Sequence, residues 1–145
     1  MRRIICIGNR YVSEDSAGPR VYDHLRLEPL PVGVEAVDGG LAGLDLLGCA
    51  DGAERLVFVD AVVGLGAPDG VAELVPAAIA ATAGAAFGHA AGLPYLLRAL
   101  PLYCEGPAPE VRVVGVEGPA DNLVVRRAAA LALRLACAPG GSANG

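Results

Sequence analysis

The chain has 145 residues, the size of one globular domain, and 54% of them are hydrophobic, which excludes a disordered chain. No uninterrupted apolar run reaches the ~20 residues that cross a bilayer, and the net charge of −5 without a basic stripe argues against nucleic-acid binding. The four cysteines form no C-x-x-C pair and no export signal is visible, so we expect free thiols in a reducing cytoplasm.

Patterns typical of strands and helices alternate along the chain. In chain order they predict a strand at 3–8, a helix at 17–27, a strand at 33–37, a helix at 41–50, strands at 55–59 and 71–75, a helix at 92–100, a strand at 111–116 and a helix at 120–136. Asp15 or Ser16 is expected to cap the first helix, and Pro19 falls in its first turn. The run at 76–91, rich in alanine and glycine, shows no clear pattern.

The order of these elements predicts an α/β fold. Strands that alternate with helices indicate a sandwich around a mostly parallel sheet. The link at 64–70 is too short for a parallel crossover, which takes about a dozen residues or more, so the strand at 71–75 is expected to run antiparallel at an edge. We expect one domain over residues 1–138 and a disordered tail at 139–145.

The residues after each strand are the first candidates for a functional site, because ligands of such sheets bind outside the carboxyl ends of the strands. The predicted strands end at a polar loop over 9–15, at 38–40 and at Asp60, which puts Asp15, Asp38 and Asp60 at one edge of the sheet. No G-x-S-x-G, Walker A, H-E-x-x-H or G-x-G-x-x-G motif is present, which argues against the chemistries that they serve.

Carboxylates and imidazoles remain as the reactive groups, namely Glu14, Asp15, Asp38, Asp60, His24 and His89. Two carboxylates and one imidazole form an incomplete shell for nickel or zinc, which suits a metal that a partner brings. Simpler interpretations exist: Asp15 as a helix cap, Asp38 as a turn residue, and both histidines as structural or surface residues. A carboxylate at Asp60 would be costly after so apolar a strand unless it is paired or solvated.

Five motifs in order resemble the hydrogenase maturation proteases. They are Gly8-Asn9 followed by Glu14-Asp15, the Asp-Gly-Gly segment at 38–40 with leucines behind it, a buried strand ending in Asp60-Ala61, His89 ahead of a leucine-bearing helix, and Val114-Gly115-Val116-Glu117. These motifs extend over residues 3 to about 136, so the resemblance covers nearly the whole chain.

The resemblance implies a fold and a set of site residues. The fold is a three-layer α/β sandwich, in which a twisted five-stranded, mostly parallel sheet with one antiparallel strand has helices on both faces. The implied ligands of the substrate's nickel are Asp15, Asp60 and His89. Asp38, Gly39, Gly40 and Glu14 are implied to bind substrate, and the implied catalytic residues are Asp15, Asp38 and Asp60.

The implied activity is that of an endopeptidase that removes a C-terminal extension from the nickel-loaded precursor of a hydrogenase large subunit. The nickel comes with the substrate, so no tightly bound cofactor is expected. Either nickel or a carboxylate, Asp38 or Asp15, activates the water. The expected partner is this precursor, without nucleic acid or membrane insertion, and the expected state is a cytoplasmic monomer or weak homodimer.

Two other functions fit the same architecture. A nickel-site binding or chaperone module would recognise the precursor without cutting it. A flavodoxin-like nucleotide or flavin binder would share the α/β fold, but the loop at 8–10 is poor in glycine for a phosphate site, and aromatic residues make up only 4% of the chain.

Overall fold

One five-stranded sheet organises residues 1–81 and 92–140, the part of the chain that this computed structural model describes. The strands are β1 (Arg2–Ile7), β2 (Val34–Gly40), β3 (Arg55–Val62), β4 (Val71–Leu74) and β5 (Glu110–Glu117). Their order across the sheet is β2-β1-β3-β5-β4, and neighbours are parallel except for β4, which is antiparallel to β5. The predicted antiparallel edge strand is therefore confirmed.

Helical elements cover both faces of this sheet. They are α1 (Ala17–Leu25), α2 (Pro76–Ala80), α3 (Leu93–Tyr103), α4 (Asn122–Cys137) and two 3₁₀ helices, Ser13–Asp15 and Gly43–Ala50. The helices α1 and α4 share one apolar core with the sheet, whereas α2, α3 and the second 3₁₀ helix share another. The predicted three-layer α/β sandwich is confirmed.

Alternation along the strands builds the two cores. Ile4 of β1 and Val57 of β3 face α1 and α4, whereas the adjacent Ile5 and Phe58 face the opposite layer. Successive side chains of a strand point to opposite faces, so a strand covered on both sides is mostly apolar. All eight residues of β3, the central strand, are buried.

Two strands run beyond their predicted ends. Asp38 and Gly40 of β2 pair with the last residues of β1, and the irregular register there makes Gly39 the extra residue. The strand β3 continues past Asp60 to Val62, because these residues pair with the end of β5. The predictions stopped at residues typical of turns, but backbone pairing with a neighbouring strand keeps both segments extended.

The segment predicted as an α-helix at 41–50 is a 3₁₀ helix that begins at Gly43. Gly43 has a φ of 59°, a left-handed conformation that glycine adopts without strain, and Gly48 lowers the helix propensity further. The last helix begins later than predicted, because the Asp121 side chain caps it by accepting from Val124 N at 2.9 Å.

Several predictions fall partly outside the described residues. Of the run at 76–91, the structure describes α2 and residue 81, and the segment 82–91 with His89 lies outside. Of the tail, residues 139 and 140 have no regular structure, and 141–145 lie outside. None of the helices in the described part is long and apolar enough to span a bilayer. The four cysteines are free thiols, as predicted, and Cys6 is fully buried.

A buried arginine joins the start of β3 to the end of α4. Arg55 is 1% exposed, and its guanidinium pairs with Glu110 at 2.9 Å. It also donates to carbonyl oxygens at the end of α4, at 2.7 Å from Leu135, 3.1 Å from Ala136, 2.8 Å from Ala138 and 3.2 Å from Pro139. Arg2 donates to two of the same oxygens, those of Ala136 and Ala138. Both cations thus satisfy carbonyls that a helix end leaves unpaired.

Candidate active site

The loop after β1 folds back on itself and buries Asp15. Asn9 N donates both to the backbone oxygen of Asp15 at 3.0 Å and to its carboxylate oxygen Oδ2 at 2.9 Å. Ser16 precedes α1 but does not cap it with its side chain, because its hydroxyl donates to Ser13 O at 3.1 Å. The expected cap by Ser16 is therefore wrong. Asp15 is only 7% exposed at the carboxyl edge of the sheet.

Glycines allow the loop at 9–15, which we call the acidic loop, to pack closely against the strand ends. Gly8 has a φ of 146°, and a Cβ at this residue would clash with Asp15 O. A Cβ on Gly18 would likewise clash with Ile7 O. Gly118 follows β5, and a Cβ there would lie 2.6 Å from Glu14 O. The acidic loop is therefore held between the ends of β1 and β5, while the Glu14 side chain stays exposed.

Asp60 lies inside β3 and is 3% exposed. Its Oδ1 accepts from Ala61 N at 2.8 Å. Burial raises the pKa of Asp60 well above its usual range, and the negative charge of Asp15 raises it further. The two carboxylates therefore lie close enough to interact in one water-poor place, which favours either a proton on Asp60 or a bound cation.

Asp38 projects from the opposite face of the sheet. Val34 and Ala36 of β2 pack into the core beneath α1 and α4, and Asp38 follows the same alternation. Its carboxylate accepts from Arg10 at 3.3 Å, and Arg10 also pairs with Asp23 of α1 at 2.8 Å. Asp60, by contrast, alternates with Phe58 and Val62, which face α2 and α3. The structure thus brings Asp15 and Asp60 together and leaves Asp38 exposed on the other face of the sheet.

The two glycines after Asp38 have different surroundings. A Cβ on Gly39 would lie 3.1 Å from both Cys6 O and the Leu46 side chain, so glycine permits close packing there. Gly40 has a φ of 52°, its carbonyl accepts from Gly8 N at 3.0 Å, and an added Cβ would meet nothing within 4 Å. The space around Gly40 is therefore open, next to the loop that holds Asp15.

Two residues to which the sequence assigned no role shape this edge. Arg10 holds Asp38, as described above. Glu117, at the end of β5, accepts from Gly64 N at 3.2 Å and from Leu65 N at 2.6 Å, and so fixes the loop after β3. The Val-Gly-Val-Glu motif contains Glu117, so the sequence could have indicated that this residue matters. Only the folded chain shows which amides its side chain binds.

No three side chains of His, Cys, Asp or Glu converge on a possible metal position within residues 1–81 and 92–140. His89, the expected imidazole, lies outside these ranges. Asp15 and Asp60 by themselves supply two oxygen ligands, which is fewer than a protein needs to retain a transition metal. The pair is suited to a cation whose remaining ligands come from elsewhere.

Several solved structures that are similar to this chain are hydrogenase maturation proteases. The hydrogenase maturating endopeptidase HybD from E. coli is 28% identical over 92% of this chain and 88% of its own, with a TM-score of 0.69. A hydrogenase 3 maturation protease is 23% identical over 97% and 92%, with a TM-score of 0.72. The [NiFe] hydrogenase maturation protease HycI from Thermococcus kodakarensis KOD1 is 23% identical over 93% and 89%, with a TM-score of 0.66. No protein-family model and no curated protein matches the sequence.

Fold, carboxylate pair and structural likeness together define the class: the chain is a peptidase with an α/β sandwich fold. HybD contributes most to this conclusion, since likenesses below 25% identity show the fold alone. Of the five sequence motifs, the four within the described residues lie on the carboxyl edge of the sheet or lead into it, and His89 lies outside those residues. The chain is thus similar in fold, over 92% of its length, to the hydrogenase maturating endopeptidase HybD.

Proposed function

We propose that this chain is an endopeptidase that removes a C-terminal extension from the nickel-loaded precursor of a hydrogenase large subunit. The observation that carries the proposal is the buried pair of Asp15 and Asp60, which are 7% and 3% exposed. Two carboxylates in so dry a place repel each other unless a proton or a cation lies between them. The names of the neighbouring structures make the nickel of a hydrogenase precursor the natural cation.

In this proposal, nickel is part of the substrate and serves as its recognition tag. Asp15 and Asp60 supply two oxygen ligands, and His89 supplies an imidazole nitrogen, a donor set that suits divalent nickel. In the chain, His89 comes between α2 and α3, the two helices that cover the face onto which Asp60 projects. The chain then needs no metal of its own, and a precursor without nickel is left uncut.

The substrate chain is proposed to run past Gly39 and Gly40, where the open space at Gly40 admits a peptide backbone. Exposed Asp38 and Glu14 lie beside that path and are proposed to bind substrate. Water reaches the scissile carbonyl by one of two routes. Either nickel acts as a Lewis acid, or a carboxylate, Asp38 or Asp15, removes the proton from water as general base.

Intact-mass spectrometry of a large-subunit precursor tests the proposal. The purified chain is incubated with the precursor in nickel-loaded and nickel-free forms. The expected result is loss of the C-terminal extension from the loaded form alone. Asp15→Asn, Asp60→Asn and His89→Ala should leave the precursor at full length, whereas Asp69→Asn, an exposed aspartate far along the β3–β4 link, should cut like wild type.

Two outcomes contradict parts of the proposal. Full cleavage by the Asp15→Asn and Asp60→Asn variants rules out the carboxylate pair as the site. Tight binding of the loaded precursor with no change in its mass favours the alternative of a non-cleaving assembly module. Loss of cleavage in Asp38→Asn at unchanged affinity for the precursor favours the general-base route through Asp38.

A further inference from the structure

Five large apolar side chains are exposed on the segments that follow β1, β2 and β3, four of them in loops and Leu44 at the start of the second 3₁₀ helix. They form what we call the apolar loop surface: Tyr11 is 90% exposed, Val12 44%, Leu41 59%, Leu44 54% and Val63 61%. The three strands are adjacent in the sheet and parallel, so the loops at their carboxyl ends lie side by side. Single exposed apolar residues are ordinary, but a group of them on neighbouring loops marks an interaction site.

These loops are held in place rather than free. Tyr11 N donates to Asn9 Oδ1 at 2.9 Å, within the loop that also buries Asp15. The hydrogen bond from Gly8 N to Gly40 O ties this loop to the segment before Leu41. Glu117 binds the two amides that directly follow Val63. A surface whose backbone is already ordered loses little entropy when a partner docks, which favours affinity.

Charge on the same loops indicates the chemistry of the partner. Glu14, Asp38 and Asp45 are exposed acids there. The cation among them, Arg10, is already paired with Asp23 and Asp38. A complementary partner surface is therefore apolar at its centre and basic at its margin.

We propose that the apolar loop surface is the docking surface for the hydrogenase precursor, and that it sets affinity for the precursor separately from the cleavage step. This proposal rests on the proposed function, because the occupant is the substrate of the same site. Tyr11 and Val12 belong to the loop that buries Asp15, and Val63 directly follows β3, which holds Asp60, so a precursor that docks on this surface lies next to the two carboxylates. The partner segment is predicted to present apolar side chains flanked by lysine or arginine.

The test uses steady-state cleavage of a nickel-loaded precursor that the wild-type chain cuts. The double variant Tyr11→Ser/Leu41→Ser should raise KM by about tenfold or more, as expected for loss of anchoring side chains in an interface, and leave kcat within about twofold. Leu102→Ser is the matched control, because Leu102 is 88% exposed at the far end of α3. Its KM and kcat should equal those of wild type.

Salt supplies a second, independent measurement. An attraction between acidic loops and a basic margin is screened by ions, so KM of the wild type should rise with sodium chloride while kcat stays constant. A double variant with wild-type KM, in a chain that cuts the precursor, overturns the docking surface and leaves the proposed function intact. A wild-type chain that neither binds nor cuts any loaded precursor overturns both.

Discussion

Replacing Arg55 with methionine removes the cation that joins β3 to the end of α4 while keeping a long apolar side chain in its place. The carbonyl of Leu135 loses a donor inside the core, at 2.7 Å in the wild type, and a buried acceptor left unpaired costs about 1–3 kcal/mol. Arg2 still reaches Ala136 and Ala138, so these oxygens lose less. The lost pair with Glu110 and the bond to Pro139 add roughly 1–2 kcal/mol.

The expected total is a loss of about 3 kcal/mol in the free energy of unfolding. For a chain of this size, each kcal/mol shifts the melting temperature by about 2–4 °C, so Tm should fall by about 6–12 °C. Urea titration followed by circular dichroism measures the first quantity, and a thermal melt measures the second. Arg134→Met is the control, because Arg134 lies exposed in the last turn of the same helix. Its charge there interacts favourably with the helix dipole, which is worth about 1 kcal/mol at most. If the two variants unfold within about 1 kcal/mol of each other, Arg55 does not cap α4 in the way described.

Three further predictions concern the carboxyl edge of the sheet. Gly118→Ala should displace the acidic loop, since the new Cβ would lie 2.6 Å from Glu14 O. We expect the free energy of unfolding to fall by about 1–3 kcal/mol and precursor cleavage to be lost. Gly106→Ala, where a Cβ meets nothing within 4 Å, should be neutral in the same assays. Asp60 keeps its proton to a higher pH when folded than when unfolded, where its pKa is near 3.8, so the free energy of unfolding should decrease as the pH rises above that value. Asp60→Asn removes this component and should therefore be more stable than wild type in urea at about pH 7 but not at about pH 3. Glu117→Ala leaves two amides without their acceptor and should lower the free energy of unfolding by about 1–2 kcal/mol, and Glu117→Gln should restore part of that loss. Equal unfolding midpoints for the wild type and both variants would contradict the role assigned to Glu117.

Much of the architecture could be predicted because it follows from local patterns. After Arg55, the predicted strand at 55–59 is an unbroken apolar run, the pattern of a strand covered on both faces, and β3 is buried throughout. The link at 64–70 is too short for a crossover, and that length alone predicts the antiparallel β4. Both inferences depend on residues close together in the sequence.

The ends of elements and the partners of side chains were harder to predict. Asp38 and Asp60 are typical of turns and strand ends, yet both lie within strands, because pairing with β1 and β5 outweighs local preference. The same pairing decides which face of the sheet each carboxylate occupies, because a shift of one residue in the pairing moves every side chain of a strand to the other face. The contacts of Arg10 with Asp38 and of Glu117 with the loop after β3 join residues far apart in the sequence, so a linear pattern contains no trace of them.

The close approach of Gly8, Gly18 and Gly118 to neighbouring backbone has a consequence for genetics. Any side chain at these positions collides with the main chain of Ile7 or of the acidic loop, so substitutions there should abolish function as fully as loss of an aspartate. A saturation-mutagenesis experiment scored by hydrogenase activity should therefore show that these glycines, and not only the aspartates, tolerate no substitution. Glycine variants should lose activity because little of the protein accumulates, whereas aspartate variants should accumulate normally but be inactive. Measuring protein abundance beside activity separates the residues that build this edge from those that react at it.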